Sequence, residues 1–169
     1  MKLGIVSDTH MYGRAKALPD ALVAGLSGVD AILHAGDWMD ESVIELFAAI
    51  APVDGVAGNN DGEKLAARLG RKKLLTFAGH RIGIVHGDGG RSTPDQAFAS
   101  FRSEAVDVIV FGHSHIPYLE NRAGILLFNP GSPTDKRRQP RYSYGVLTLG
   151  KTIEAEHYYY DDKSSTAGV

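Results

Sequence analysis

The first third of the chain alternates two hydrophobic periods, and that alternation restricts the fold more than any other feature. Leu3 to Val6 is a short apolar run that reads as a strand, after which Ala17, Leu18, Ala21, Leu22 and Leu26 recur at the spacing of one helix face. Ala31 to Leu33 repeats the strand pattern; Val43, Ile44, Leu46, Phe47 and Ile50 repeat the helix pattern; Val53-Asp54-Gly55-Val56 ends a third strand. Strand and helix in alternation imply crossover connections, which make neighbouring strands parallel and lay helices against the sheet.

The second half reads differently. A short helix is expected from Glu63 to Leu69, followed by a hairpin whose arms, Leu74 to Phe77 and Ile82 to Val85, flank Gly79-His80. Thr93-Pro94-Asp95-Gln96 opens a helix, with Thr93 as cap, Pro94 in the first turn and Gln96 reaching back in a capping box; Ala97, Phe98, Phe101 and Ala105 form its apolar stripe. Val106 to Phe111, Ile125 to Phe128, Tyr144 to Leu149 and Ile153 to Tyr158 read as strands, giving a mainly antiparallel half. Two facing mixed sheets with helices outside, an α/β four-layer αββα sandwich, satisfy both halves. Residues 1–160 are expected to form one domain, and the polar residues 161–169 to fray.

At 169 residues the chain can bury about two-thirds of its unfolded surface in a single core. It contains no cysteine, which excludes disulfides and thiolate metal sites, so any metal must be held by nitrogen and oxygen. The formal charge of -2 favours neither a nucleic-acid nor a membrane partner. No apolar run approaches the roughly 20 residues of a bilayer span. Met1-Lys2-Leu3 enters a strand without a leader pattern, so a cytoplasmic location is expected.

Five polar clusters carry the chemistry: Asp8-Thr9-His10, Gly36-Asp37, Gly58-Asn59-Asn60-Asp61, His86-Gly87 and Gly112-His113-Ser114-His115. Four of them fall where a strand pattern gives way to polar, glycine-rich sequence, so their side chains are expected to converge at one sheet edge. Carboxylates, imidazoles and a carboxamide together form the donor set of a two-metal hydrolytic centre. Asp8 and Asp37 bring about two negative charges and neutral imidazoles none, so two divalent cations would leave roughly two positive charges in excess to attract a phosphate ester.

Ordinary structural roles are open to the same residues. Asp8 suits a helix N-cap, Asp40 is a better cap than Asp37 for the helix near Glu41, and Asn59-Asn60 resembles a turn. Asp61 suits a cap for the helix from Glu63 as well as a catalytic role. The ordered series of clusters favours ligation over these. His34 reads as a satisfied core histidine, His80 as a hairpin-turn residue and His157 as an edge-strand residue without a role. Lys136-Arg137-Arg138-Gln139-Pro140-Arg141 reads as a solvated basic loop, with a phosphate-gripping role only if it folds over the metal edge. The tyrosine-rich end, Tyr158-Tyr159-Tyr160, leaves a homo-oligomer contact open.

In order and approximate interval the clusters resemble the calcineurin-like metallophosphoesterase family, whose succession is Asp-x-His, Gly-Asp, Gly-Asn-His-Asp/Glu, a His and Gly-His-x-His. The short chain and the run Asn129-Pro130-Gly131-Ser132 after a strand resemble its compact YfcE-like branch of phosphodiesterases, and the likeness extends to about Tyr158. The resemblance implies the αββα sandwich. It also implies that Asp8, His10, Asp37 and His115 hold one ion, that Asp37, Asn59, His86 and His113 hold the other, and that Asp37, Asn59, Asn60 and Asp61 serve catalysis. The expected cofactors are two divalent ions, manganese first, with nickel, iron or zinc as alternatives. The expected reaction is hydrolysis of a small phosphodiester by in-line attack of a hydroxide bridging the ions. Asn60 departs from the pattern: many members carry there a His that contacts the phosphate and can protonate the leaving group. An amide donates a hydrogen bond but no proton, so diesters with acidic or strained leaving groups are expected to be preferred. The alternatives are a non-catalytic protein-binding scaffold, as in the family's retromer-subunit branch, and a phosphomonoesterase.

Overall fold

The computed structural model describes residues 1–166. One sheet contains β1 (Lys2–Val6), β2 (Ala31–His34), β3 (Val53–Gly55), β9 (Tyr142–Leu149) and β10 (Ile153–Tyr160), in the order β10-β9-β1-β2-β3. The other contains β4 (Lys72–Phe77), β5 (His80–Val85), β6 (Val108–Val110), β7 (Tyr118–Arg122) and β8 (Ile125–Asn129), in the order β4-β5-β6-β8-β7. Helices α1 (Asp20–Leu26), α2 (Ser42–Ala48), α3 (Glu63–Leu69) and α4 (Thr93–Ser100) complete the chain.

Strand alternation sorts the side chains into three apolar layers. Leu3, Ile5, Leu33, Ile84, Val110 and Phe128 meet between the sheets. Ile32 points the other way and packs with Leu22, Leu26, Val43 and Phe47 of α1 and α2. Ile109, Phe111 and Leu127 pack with Ala97 and Phe101 at α4. Fully burying each such side chain stabilises the fold by about 1.5–3 kcal/mol, and the layers give the expected αββα sandwich. Among the described residues no helix is long and apolar enough to cross a membrane.

Several local expectations need correction. The second half is mainly antiparallel, as expected, through the β4–β5, β7–β8, β9–β10 and β1–β9 pairs, but β6 runs parallel to both β5 and β8. Strand β7, with the polar sequence Tyr-Leu-Glu-Asn-Arg, lacks an alternating apolar signal because it is an edge strand whose residues are half-buried or exposed. The α4 cap is Ser92, whose Oγ accepts from the Asp95 amide at 3.5 Å; Thr93 is already helical. The N-cap position of α2 is Glu41 rather than Asp40; Asp40 lies one residue earlier, its Oδ1 accepting from the Ser42 amide at 2.8 Å. His80 begins β5 and reaches the Gly150 carbonyl at 2.8 Å. His157 has a role after all: its ring stacks on Phe128 at 4.5 Å and its Nε2 lies 2.7 Å from the Asn129 carbonyl, tying the two sheets together. Residues 161–166 run beside α1, where Asp20 donates its amide to Ser164 O (3.0 Å) and its carboxylate accepts from the Thr166 amide. Residues 167–169 of the expected frayed tail lie outside the described residues.

One consequence of this topology positions the chemistry. Strands β1, β2 and β3 are mutually parallel, and so are β5, β6 and β8. All five polar clusters follow the C-terminal ends of these strands, the edge at which open α/β sheets place their ligands.

Candidate metal centre

The loops after the strands interlock through their backbones before any side chain is considered. The Asp8 amide donates to Gly36 O (2.9 Å), the His10 amide to Asp37 O (3.0 Å) and the Gly112 amide to His86 O (3.0 Å). Two glycines permit the close approach: a Cβ on Gly58 would lie 2.2 Å from Asp37 Oδ1, and one on Gly112 would lie 1.8 Å from Ser7 Oγ. Five candidate ligands occupy the left-handed backbone region that non-glycine residues avoid: Asp8, His10, Asp37, His113 and His115, with φ from 45° to 67°. Each such residue costs about 1–2 kcal/mol, and strain of this kind gathers where side chains must point one way for function.

The floor of the centre is formed by buried Asp8, Asp37, His86 and His115 with half-buried His10. Asp8 Oδ2 accepts from the His113 amide at 2.9 Å, which leaves Oδ1 facing three imidazoles. His115 Nε2 lies 3.4 Å from that oxygen, and His10 Nε2 and His86 Nε2 each lie 3.8 Å away. His10 and His86 also approach Asp37 Oδ2, at 3.4 and 3.3 Å. Thus Asp8, His10 and His115 form one donor group and Asp8, Asp37 and His86 another. Asp8 is common to both groups, whereas the resemblance assigns the shared place to Asp37; Asp37 nevertheless faces His10 as well as His86.

Two histidines are held in the tautomer that a cation requires. His86 Nδ1 donates to the Ala35 carbonyl at 2.7 Å and His115 Nδ1 donates to the Asp135 carbonyl at 2.5 Å, so Nε2 of each ring is the nitrogen that faces inward and offers a lone pair once deprotonated. Burial by itself would raise the Asp8 and Asp37 carboxyls, but the surrounding imidazoles hold both below the usual carboxylate range, and Asn60 adds to the effect on Asp37. Burial would lower His86, yet Asp37 and Asp8 lift it to about 9. Burial lowers His115, opposed by Asp8 and reinforced by the charge of Arg137.

Asp8 Oδ1, His10 Nε2, His86 Nε2 and His115 Nε2 are buried without a hydrogen-bond partner. Leaving one buried polar atom unpaired costs about 1–3 kcal/mol, and here three imidazole nitrogens and one carboxylate oxygen gather unpaired beside Asp37. Divalent cations at the two donor groups would satisfy them, so the residues present fit a metal.

The other expected site residues form the rim. Asn59 is exposed, and its Oδ1 accepts from His113 Nδ1 at 3.1 Å, which pairs these two expected ligands with each other. His113 still stands beside the floor, its ring 5.2 Å from that of His86. Asn60 donates its amide to Asp37 Oδ1 (2.9 Å) and its side-chain Nδ2 to Asp37 Oδ2 (2.7 Å). Asp61 neither caps α3, whose cap is Gly62, nor presents a free carboxylate. It accepts from the amides of Asp37 (2.9 Å), Gly58 (2.8 Å) and Met39 (2.7 Å), and so braces two ligand loops against each other.

Supporting residues also come from segments whose sequence gave no chemical signal. Ser132 Oγ donates to Asp8 O at 2.8 Å, Thr134 Oγ1 donates to Thr9 O at 2.6 Å, and Asn129 Nδ2 donates to Gly112 O at 2.8 Å. The Asn129 to Ser132 run, visible earlier only as a mark of resemblance, therefore fastens the first and last ligand loops. His34 is the expected satisfied core histidine. Its Nδ1 accepts from the Gly36 amide at 3.1 Å, so Nε2 carries the proton donated to Thr9 Oγ1, also at 3.1 Å, while the ring stacks 3.7 Å from Trp38.

A family model for the calcineurin-like phosphoesterase superfamily domain matches residues 1–152. The chain belongs to the calcineurin-like phosphoesterase superfamily. Within this superfamily it is 38% identical over 158 residues to a probable metallophosphoesterase, MJ0623, of Methanocaldococcus jannaschii, covering 92% of this chain and 80% of that protein. It is 29% identical over 166 residues to a protein named phosphodiesterase MJ0936 from the same organism, covering 89% and 91%. The structure of Chaetomium thermophilum Vps29 superposes with a TM-score of 0.79 over 95% of this chain and 98% of that one, at 20% identity, a likeness of fold.

Proposed function

We propose that the protein is a metal-dependent phosphodiesterase, with Asp8, His10, Asp37 and His115 holding one divalent ion and Asp37, Asn59, His86 and His113 holding a second. The convergence of three unpaired imidazole nitrogens with the unpaired Asp8 Oδ1, beside the Asp37 carboxylate, carries this reading. It favours an enzyme over a scaffold, because a metal-free binding module would be more stable with those atoms paired or replaced by apolar groups. Bound there, divalent ions would neutralise the phosphoryl oxygens and lower the pKa of water towards neutrality. Manganese is the first ion to test against this mixed donor set, with nickel, iron and zinc beside it.

The chain's own residues do the positioning. Asp61 and the His34–Thr9 pair fix the backbone that carries Asp37, and the carbonyls of Ala35 and Asp135 fix the His86 and His115 rings. Asn60 holds both Asp37 oxygens and can donate one hydrogen bond, but it delivers no proton to a departing alkoxide. Without that proton, worth about 10²- to 10⁴-fold in rate, the leaving group must depart as a stable anion. The expected result with metal-reconstituted protein is rapid cleavage of bis(4-nitrophenyl) phosphate and far slower cleavage of the methyl 4-nitrophenyl diester at its alkyl bond. Equal rates for aryl and alkyl leaving groups would refute the role given to Asn60. No hydrolysis with Mn²⁺, Ni²⁺, Mg²⁺ or Zn²⁺ would refute the enzyme reading.

A further inference from the structure

A cavity of about 450 Å³ opens beside the centre, lined by Ser114, Ile116, Lys136, Arg137, Arg138 and Gln139. Two connections fix it to the candidate ligands. Ser114 lies between His113 and His115 in the chain, and Asp135, whose carbonyl holds His115 Nδ1, immediately precedes Lys136. The Gln139 amide closes a tight turn on Lys136 O at 2.8 Å, and Lys136 Nζ reaches back to Gln139 O at 3.3 Å, so Arg137 and Arg138 stand at the turn's tip. Arg137 takes a φ of 48°, the left-handed conformation shared by the ligand residues. The basic loop thus lies against the segment that carries His113 and His115.

Two nearby arginines are paired. Arg14 lies 3.4 Å from Asp135, and Arg141 lies 2.9 Å from Asp161. Among the described residues, Arg137 and Arg138 are exposed and have no carboxylate partner. Two guanidiniums without carboxylate partners on consecutive residues of one turn favour an anion, and their planar forks match phosphate oxygens better than a lysine would. The cavity volume suits a nucleotide-sized group.

We infer that Arg137 and Arg138, with Ser114, form a subsite for a second, non-scissile phosphate, so that the substrates are phosphodiesters carrying a further phosphate on one ester arm. This rests on the phosphodiesterase reading and narrows it to a substrate class. The reaction is unchanged: water adds to the scissile phosphorus, one P–O ester bond breaks, and the distal phosphate is only held.

A matched pair of substrates tests the subsite: thymidine 5′-(4-nitrophenyl phosphate) and the same compound bearing a 3′-phosphate. The parent should show at least about a tenfold higher kcat/KM for the 3′-phosphorylated compound, and Arg137→Ala/Arg138→Ala should bring that ratio to about one. A parent ratio near one, or a ratio unchanged in the double variant, would overturn the subsite. A second readout does not depend on turnover. Calorimetry on chelator-treated protein should show thymidine 3′,5′-bisphosphate binding at least about tenfold more tightly to the parent than to the double variant. Equal affinities would overturn the inference. If neither compound is hydrolysed but this binding difference persists, the subsite stands and the phosphodiesterase reading fails.

Discussion

The floor and the rim of the candidate centre meet the same requirement in different ways. On the floor, Asp8 and His115 are buried, strained at the backbone and clamped by hydrogen bonds from distant segments, and donor atoms are left unpaired. On the rim, Asn59 and His113 lie towards solvent and satisfy each other. A cation settling on the floor relieves unpaired atoms. One settling against the rim must displace a hydrogen bond and order an exposed side chain, which costs conformational entropy. The difference teaches that the two proposed ion sites would not be equivalent: the Asp8 side is preorganised, and the Asn59 side would be completed on binding.

Substitutions can break this comparison in a graded way. The largest effect should come from the floor: Asp8→Ala or Asp37→Ala should cut kcat/KM on bis(4-nitrophenyl) phosphate by about a thousandfold or more, several kcal/mol of charge stabilisation. Metal content and circular dichroism on the same samples should show the ions lost and the fold kept. At the rim, Asn59→Ala or His113→Ala should lower activity about a hundredfold at limiting metal. Raising the metal concentration should restore much of that loss, which it should not do for Asp8→Ala. Removing a brace should cost less. Ser132→Ala, which releases the Asp8 carbonyl, should weaken metal affinity about tenfold, the low end for groups that orient ligands.

The smallest effect concerns the support beneath the floor. His34 is fully buried, and that burial lowers its pKa from 6.5 to about 3. Its folded pKa is thus depressed below the unfolded value: above pH 6.5 neither state binds the proton, whereas below 6.5 the unfolded state takes it up and the folded state does not. Stability should therefore fall with pH from 6.5 towards 3, by about 0.8 kcal/mol between pH 8 and pH 6 from this group. Urea melts of chelator-treated protein at the two pH values measure the total slope. His34→Gln, with no proton to take up, should remove this share of it.

The comparison also shows why some features were legible in the sequence and others were not. Floor residues announce themselves because each follows an apolar run that must end at a sheet edge: Asp8 after Val6, His86 after Val85, His115 after Phe111. The alternation of Leu3 to Val6 with the Leu22 and Leu26 helix likewise declared the parallel sheet. Strand β7 was silent because an edge strand need not alternate, and the parallel setting of β6 depends on neighbours far away in sequence. The brace roles of Ser132, Thr134 and Asp61 were hidden for a related reason: a hydroxyl or carboxylate that binds backbone carries no sign of which backbone. Asp61 shows the difficulty, since its place before a helix suggested a cap and the fold uses it to join the Asp37 and Gly58 loops.

The most direct test of the inequality between floor and rim is a calorimetric titration of chelator-treated protein with Mn²⁺, run beside His113→Ala. Two binding events of distinct affinity in the parent, with only the tighter one retained in His113→Ala, is the predicted result. A single class of sites in the parent, or loss of the tighter event in His113→Ala, would contradict it.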